Sequence, residues 1–155
     1  MKLRLHLAAC FVFLGPALIF AAYKDPLFDE KADANKEIQA AITQATRAHK
    51  NVVLDFGAKW CEDCHVLDAQ MEKPELSRLI KANYVVVDID VGRFDKNLDL
   101  AEKYHVPLKM GVPALAVLDS HGKLLYSQER GEFEGARRMK FEDFKAFFER
   151  CKPKK

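Results

Sequence analysis

The sequence predicts an α/β sandwich with a mixed sheet of about four strands. Short apolar runs alternate with stretches of helical period, which implies parallel strands joined by helices. Two later runs flank Asp119-Ser120-His121-Gly122, which implies an antiparallel hairpin turning on Asp and Gly. Apolar residues at 49% against 31% charged are the balance of a globular chain, and eleven Phe residues can build a core without help from disulfides. A length of 155 residues suits one such domain.

The first 22 residues read differently. Lys2 and Arg4 precede an apolar run of 16 residues from Leu7 to Ala22, short of the roughly 20 that span a bilayer. A basic start, a short apolar stretch and a small-residue end predict a secretory signal peptide, or an uncleaved anchor, over 1–22 and a mature domain over 23–155. Cys10 is read as part of the apolar core of that signal.

In the mature chain, residues 23–32 form a lead-in. Residues 34–49 predict a helix with Ile38, Ala41, Ile42 and Ala45 on one face and Asp33 as N-cap. Residues 52–56, Val-Val-Leu-Asp-Phe, predict a buried parallel strand. A helix follows over 61–71, is interrupted near Pro74, and resumes over 75–81. Residues 84–89 give a second buried strand, 97–104 a short helix, and 114–118 with 123–127 the hairpin. Phe144, Phe147 and Phe148 at helical spacing mark an amphipathic closing helix over 141–151.

Charge excludes one class of partner. The chain carries 25 Lys and Arg against 23 Asp and Glu, and removing Lys2 and Arg4 leaves 23 of each, so nothing points to nucleic acid. Of the four cysteines, Cys61, Cys64 and Cys151 fall in the mature chain. One close pair plus one distant single is the pattern of a redox motif rather than of a disulfide framework. Cys151, beside Phe147 and Phe148, is expected to be buried and inert.

The segment Trp60-Cys61-Glu62-Asp63-Cys64-His65 lies where a strand ends and a helix begins. Residues three apart on a helix share a face, so the two sulfurs come within bonding reach. The free N–H groups and dipole of a helix N-terminus favour a thiolate on Cys61. That thiolate attacks a substrate disulfide and Cys64 resolves the mixed disulfide. Glu62 and Asp63 add negative charge beside the thiolate, which raises its pKa and points toward a reductase. Three other readings of the pair stay open: a structural disulfide, half of a metal site, and, since His65 follows, a c-type haem attachment. His65 itself reads as a solvated first-turn residue, and Arg137, Arg138 and Lys140 as a solvated basic face.

These residues together resemble the thioredoxin superfamily. Val53-Leu54-Asp55-Phe56 with Trp60-Cys61-x-x-Cys64 is similar to the strand and active-site turn, Gly111-Val112-Pro113 with Ala114-Leu115-Ala116-Val117 to the cis-proline loop and its strand, and Gly122-Lys123 to the hairpin turn. The likeness covers about residues 50–150. Residues 73–76 and 84–90 are closest in flavour to exported members such as the C-terminal thioredoxin-like domain of the transmembrane disulfide reductase of Gram-negative bacteria.

The resemblance implies a three-layer α/β/α sandwich and a thiol–disulfide oxidoreductase, a reductase of exported proteins, that works as a monomer with its own Cys61–Cys64 disulfide and no other cofactor. It implies that Asp55 takes the proton from Cys64. It implies further that Pro113 is cis and offers the Val112 backbone to substrate, and that Trp60 shields the pair and packs on substrate. Implied partners are exported proteins with cysteines and a membrane electron donor, with the domain in a bacterial periplasm. An oxidase, an isomerase, or a dithiol module holding copper or zinc are the alternatives. Glu62-Asp63 replaces the usual Gly-Pro, Val86 stands where a lysine near the aspartate is usual, and residues 104–110 run longer than their counterpart.

Overall fold

A computed structural model describes residues 27–154; the predicted signal, with Cys10, lies outside the described residues. The chain runs α1 (Ala34–Ala48), β1 (Asn51–Gly57), α2 (Glu62–Met71), α3 (Pro74–Asn83), β2 (Tyr84–Asp90), α4 (Leu98–Lys103), β3 (Ala114–Leu118), β4 (Leu124–Ser127) and α5 (Phe141–Arg150). Two short 3-10 turns, Leu108–Met110 and Ala136–Arg138, punctuate the second half.

The helix boundaries follow local chemistry. Asp33 caps α1 by accepting from the Lys36 N–H at 3.2 Å, and α1 ends at His49 in the left-handed conformation. Pro74 opens α3, where its missing N–H costs nothing. Lys140 donates its N–H to Asp143 at 2.9 Å at the start of α5.

The sheet order is β2-β1-β3-β4, with β1 and β2 parallel and the other two pairs antiparallel. This is the mixed four-stranded sheet that the alternating runs and the hairpin predict. β1 and β3 are buried at every position, as a central pair covered on both faces must be. Val52, Leu54 and Phe56 pack with Ile38, Ala41, Leu100 and Ala101, so α1 and α4 cover one face. Val53, Leu115 and Val117 pack with Leu67, Leu76, Ile80, Phe144 and Phe148, so α2, α3 and α5 cover the other. The result is a three-layer sandwich.

The lead-in does more than its composition suggests. Phe28 is fully buried, and its ring lies against Gly57 so closely that a Cβ there would come within 2.3 Å of it. Burying such a ring stabilises the fold by roughly 1.5–3 kcal/mol, and only glycine leaves room for it at the end of β1.

Candidate active site

Topology gathers the site at one end of the sheet. β1 and β3 are antiparallel with Phe56 opposite Ala114, so the residues after β1 meet the residues before β3. β1 and β2 are parallel with Gly57 opposite Asp90, so the segment after β2 arrives at the same end. Cys61, Val112-Pro113 and Gly92-Arg93-Phe94 therefore converge although they are far apart in sequence.

Cys61 is the N-cap of α2, and Cys64 sits in the first turn. They are joined by a disulfide with a Cα–Cα separation of 5.2 Å. Cys61 Sγ accepts from the Cys64 N–H at 3.1 Å, so one of the free N–H groups of the helix already points at the sulfur. When the bond is reduced, that N–H and the helix dipole stabilise negative charge on Cys61. Cys61 is 4% exposed and Cys64 fully buried, so Cys61 is the more accessible of the two.

The Val112–Pro113 peptide bond is cis, as the family resemblance implies. The Val112 carbonyl oxygen lies 3.4 Å from Cys61 Sγ, which puts main-chain hydrogen-bonding groups beside the sulfur. Asp55 is fully buried on β1, in register with Asp88 of β2 and Leu115 of β3. Alternation along β1 sets Asp55 on the same face as Val53, beneath the layer that contains α2.

Trp60 is 41% exposed and held in place. Its Nε1 donates to the Gly92 carbonyl at 2.6 Å, Phe94 packs edge-on at 5.7 Å between ring centroids, and the Arg93 guanidinium lies 5.3 Å from the ring. Phe94 is itself 41% exposed and has φ of +65°, a conformation costly for an aromatic residue. An exposed ring in a strained backbone, packed on the Trp60 that precedes Cys61, is a feature that sequence reading did not single out. The run Gly92-Arg93-Phe94-Asp95 carries no signal beyond that of a turn.

One expectation changes at this site and another gains detail. Arg137 does not belong to a free basic face. Its guanidinium Nε donates to Asp63 at 3.2 Å and its Nη1 to Glu62, while its main-chain N–H donates to Asp63 at 2.8 Å. Asp63 and Glu62 hold the arginine above its ordinary pKa. The acidic spacer is thus partly neutralised, which sequence spacing alone did not reveal. His65 is exposed but tethered, its Nε2 donating to the Lys59 carbonyl at 2.7 Å.

Cys151 lies away from the pair at the end of α5, partly exposed rather than buried as expected, in a surface cavity of about 610 Å³ that also takes in His49, Lys50 and Tyr126. Burial pushes its thiol up, with Arg150 acting the other way. Among the described residues, no group of three or more His, Cys, Asp or Glu side chains is placed to hold a metal ion. No helix among them is long and apolar enough to cross a membrane.

Comparison with known proteins agrees with this geometry. Thioredoxin-1 of Drosophila melanogaster is 35% identical over 74 residues, a stretch that takes in 48% of this chain and only 59% of that protein. The crystal structure of disulphide isomerase from Xylella fastidiosa Temecula1 is 40% identical with a TM-score of 0.76, covering 79% of this chain and 94% of that one. The C-terminal domain of DsbD from Neisseria meningitidis, in the reduced form, is 25% identical with a TM-score of 0.52, covering 76% of this chain and 96% of that domain. The sequence model of the thioredoxin-like family matches residues 33–120, more than half of the length, and the chain belongs to that family.

Proposed function

We propose that this protein is a thiol–disulfide oxidoreductase that reduces disulfides in exported proteins, in the periplasm, with electrons resupplied by a dithiol partner at the membrane. The observation that carries the reading is the Cys61–Cys64 disulfide at the N-terminus of α2, with Cys61 Sγ 3.4 Å from the Val112 carbonyl. The export part rests on Lys2, Arg4 and the apolar run from Leu7 to Ala22.

In the reaction, the Cys61 thiolate attacks one sulfur of a substrate disulfide. That S–S bond breaks, and the departing substrate sulfur takes up a proton. Cys64 then loses its proton, with Asp55 as acceptor, and attacks the Cys61 sulfur of the mixed disulfide. The second substrate sulfur leaves as a thiol. Two electrons pass to the substrate and the Cys61–Cys64 disulfide remains, to be reduced again by the partner dithiol. Val112 and Pro113 line the strand-like groove where substrate main chain lies, and Trp60 with Phe94 forms its aromatic wall.

The acidic spacer supports the reductase direction, because residual negative charge disfavours the thiolate and makes the disulfide a weaker oxidant. An isomerase is the second reading, favoured by the likeness to the Xylella fastidiosa protein.

The test is a Cys64→Ala variant given a protein disulfide. It should accumulate a covalent adduct through Cys61 and lose catalytic turnover, while Cys61→Ala forms no adduct. Absence of any adduct would contradict the oxidoreductase reading. Faster rescue of a scrambled disulfide protein than reduction of a native one would favour the isomerase.

A further inference from the structure

Both residues between the cysteines are held by one side chain from the far end of the sequence. Arg137, in the 3-10 turn Ala136–Arg138, donates from Nε to Asp63 Oδ2 at 3.2 Å and from Nη1 to Glu62 Oε2. Its Nη2 also lies 3.2 Å from Asp63 Oδ2, and its main-chain N–H reaches Asp63 Oδ1 at 2.8 Å. The Asp63 side chain is only 13% exposed, so its contact with Arg137 is the less solvated of the two.

The neighbouring ionisable groups are engaged elsewhere. Lys59 pairs with Glu30 at 3.6 Å, and His65 donates to the Lys59 carbonyl. Asp55 lies buried on β1 beneath this layer. Among the described residues, the ion pairs that reach Glu62 and Asp63 both come from Arg137.

The charge count decides what this does. Glu62 and Asp63 alone would set two negative charges beside the Cys61 sulfur. With Arg137 in place, the local sum is that of one carboxylate. A thiolate next to one net negative charge forms more readily than next to two.

We propose that Arg137 is a positioning residue for the redox reaction: it clamps the Glu62–Asp63 spacer and offsets its charge, and so sets how readily Cys61 attacks. The inference rests on the oxidoreductase reading for its biological meaning, but its test does not. Reduced protein is alkylated with iodoacetamide across a pH series, and Cys61 is followed separately from Cys64, which shares its tryptic peptide, by fragment-ion mass spectrometry, and from Cys151 by its own peptide.

Arg137→Gln should move the midpoint of the Cys61 profile upward by on the order of half a pH unit, because the exposed parts of the pair are screened. The shift should shrink in 0.5 M salt. Arg137→Lys should recover part of it. Arg137→Gln combined with Glu62→Gln restores the original charge count and should bring the midpoint back. Glu62→Gln alone, which leaves the clamp on Asp63, should move it downward.

A clamp that was merely structural would move melting temperature without this pattern of midpoints. If Arg137→Gln folds and its profile superimposes on that of the parent, the inference fails. If Arg137→Gln does not fold and Glu62→Gln alone leaves the midpoint in place, it fails equally. Loss of the oxidoreductase reading would show instead as a parent protein with no reversible Cys61–Cys64 couple, whatever the alkylation series reports.

Discussion

Two sulfurs in this protein are set apart by what surrounds them. Cys61 caps a helix and accepts an N–H at 3.1 Å, whereas Cys151 lies partly buried at the end of α5 where burial pushes its thiol up. Reduced protein at pH 7 should therefore be alkylated at Cys61 about tenfold faster or more than at Cys151. Cys151→Ser should leave the redox couple unmoved. Equal rates at the two positions would contradict this account of Cys61. The residues that the sequence made legible are those carried by short spacing: Cys61, Cys64, Trp60 and the Val112-Pro113 pair stand in local motifs. Arg137 was not legible, because its partners Glu62 and Asp63 lie 75 and 74 residues away and no periodicity links them. Phe94 was missed because an isolated aromatic in a turn-like run looks the same whether it is buried or displayed.

At the scale of elements, β2 is tied to α5 by Tyr84, whose hydroxyl donates to the Phe148 carbonyl at 2.5 Å while its ring packs edge-on against that of Phe148. Tyr84→Phe should cost about 1 kcal/mol, since it leaves a buried carbonyl without its donor. Burial pushes the Tyr84 hydroxyl well above its ordinary value, so the folded state keeps a proton that unfolded tyrosine loses above pH about 10. The folded state binds more protons in that range, and stability falls as pH rises through it. Tyr84→Phe should show a shallower loss than the parent between about pH 9 and 11 in urea titrations, while Tyr126 and Cys151, both raised by burial, keep part of the slope in either protein. Identical slopes would contradict the assignment. The regular elements were largely legible because period and capping specify them. β1 and β2 run a residue or two past their predicted ends because pairing with neighbours extends them. The lead-in was legible only as a connection: burial of Phe28 depends on Gly57, and that contact is a matter of tertiary packing.

At the largest scale, the described residues form a three-layer sandwich that holds the cysteine pair at one end of a fully covered central strand pair. Two packed layers fix β1 and β3, those strands fix the ends from which Cys61 and Val112 project, and α2 supplies the field that favours a thiolate. The class and layering followed from alternation of runs along the sequence, since only a few topologies satisfy it. The balance of charge around the pair did not, because it depends on a turn that folds back over α2. That balance makes the redox direction the quantity most exposed to test. The measurement is the reduction potential of the Cys61–Cys64 pair in the purified domain, equilibrated against glutathione or dithiothreitol. The account predicts a reversible two-electron couple near the value of thioredoxin, about −270 mV. A value near −120 mV would make the protein an oxidant and contradict the reductase reading, and the absence of a reversible couple would overturn the oxidoreductase assignment itself.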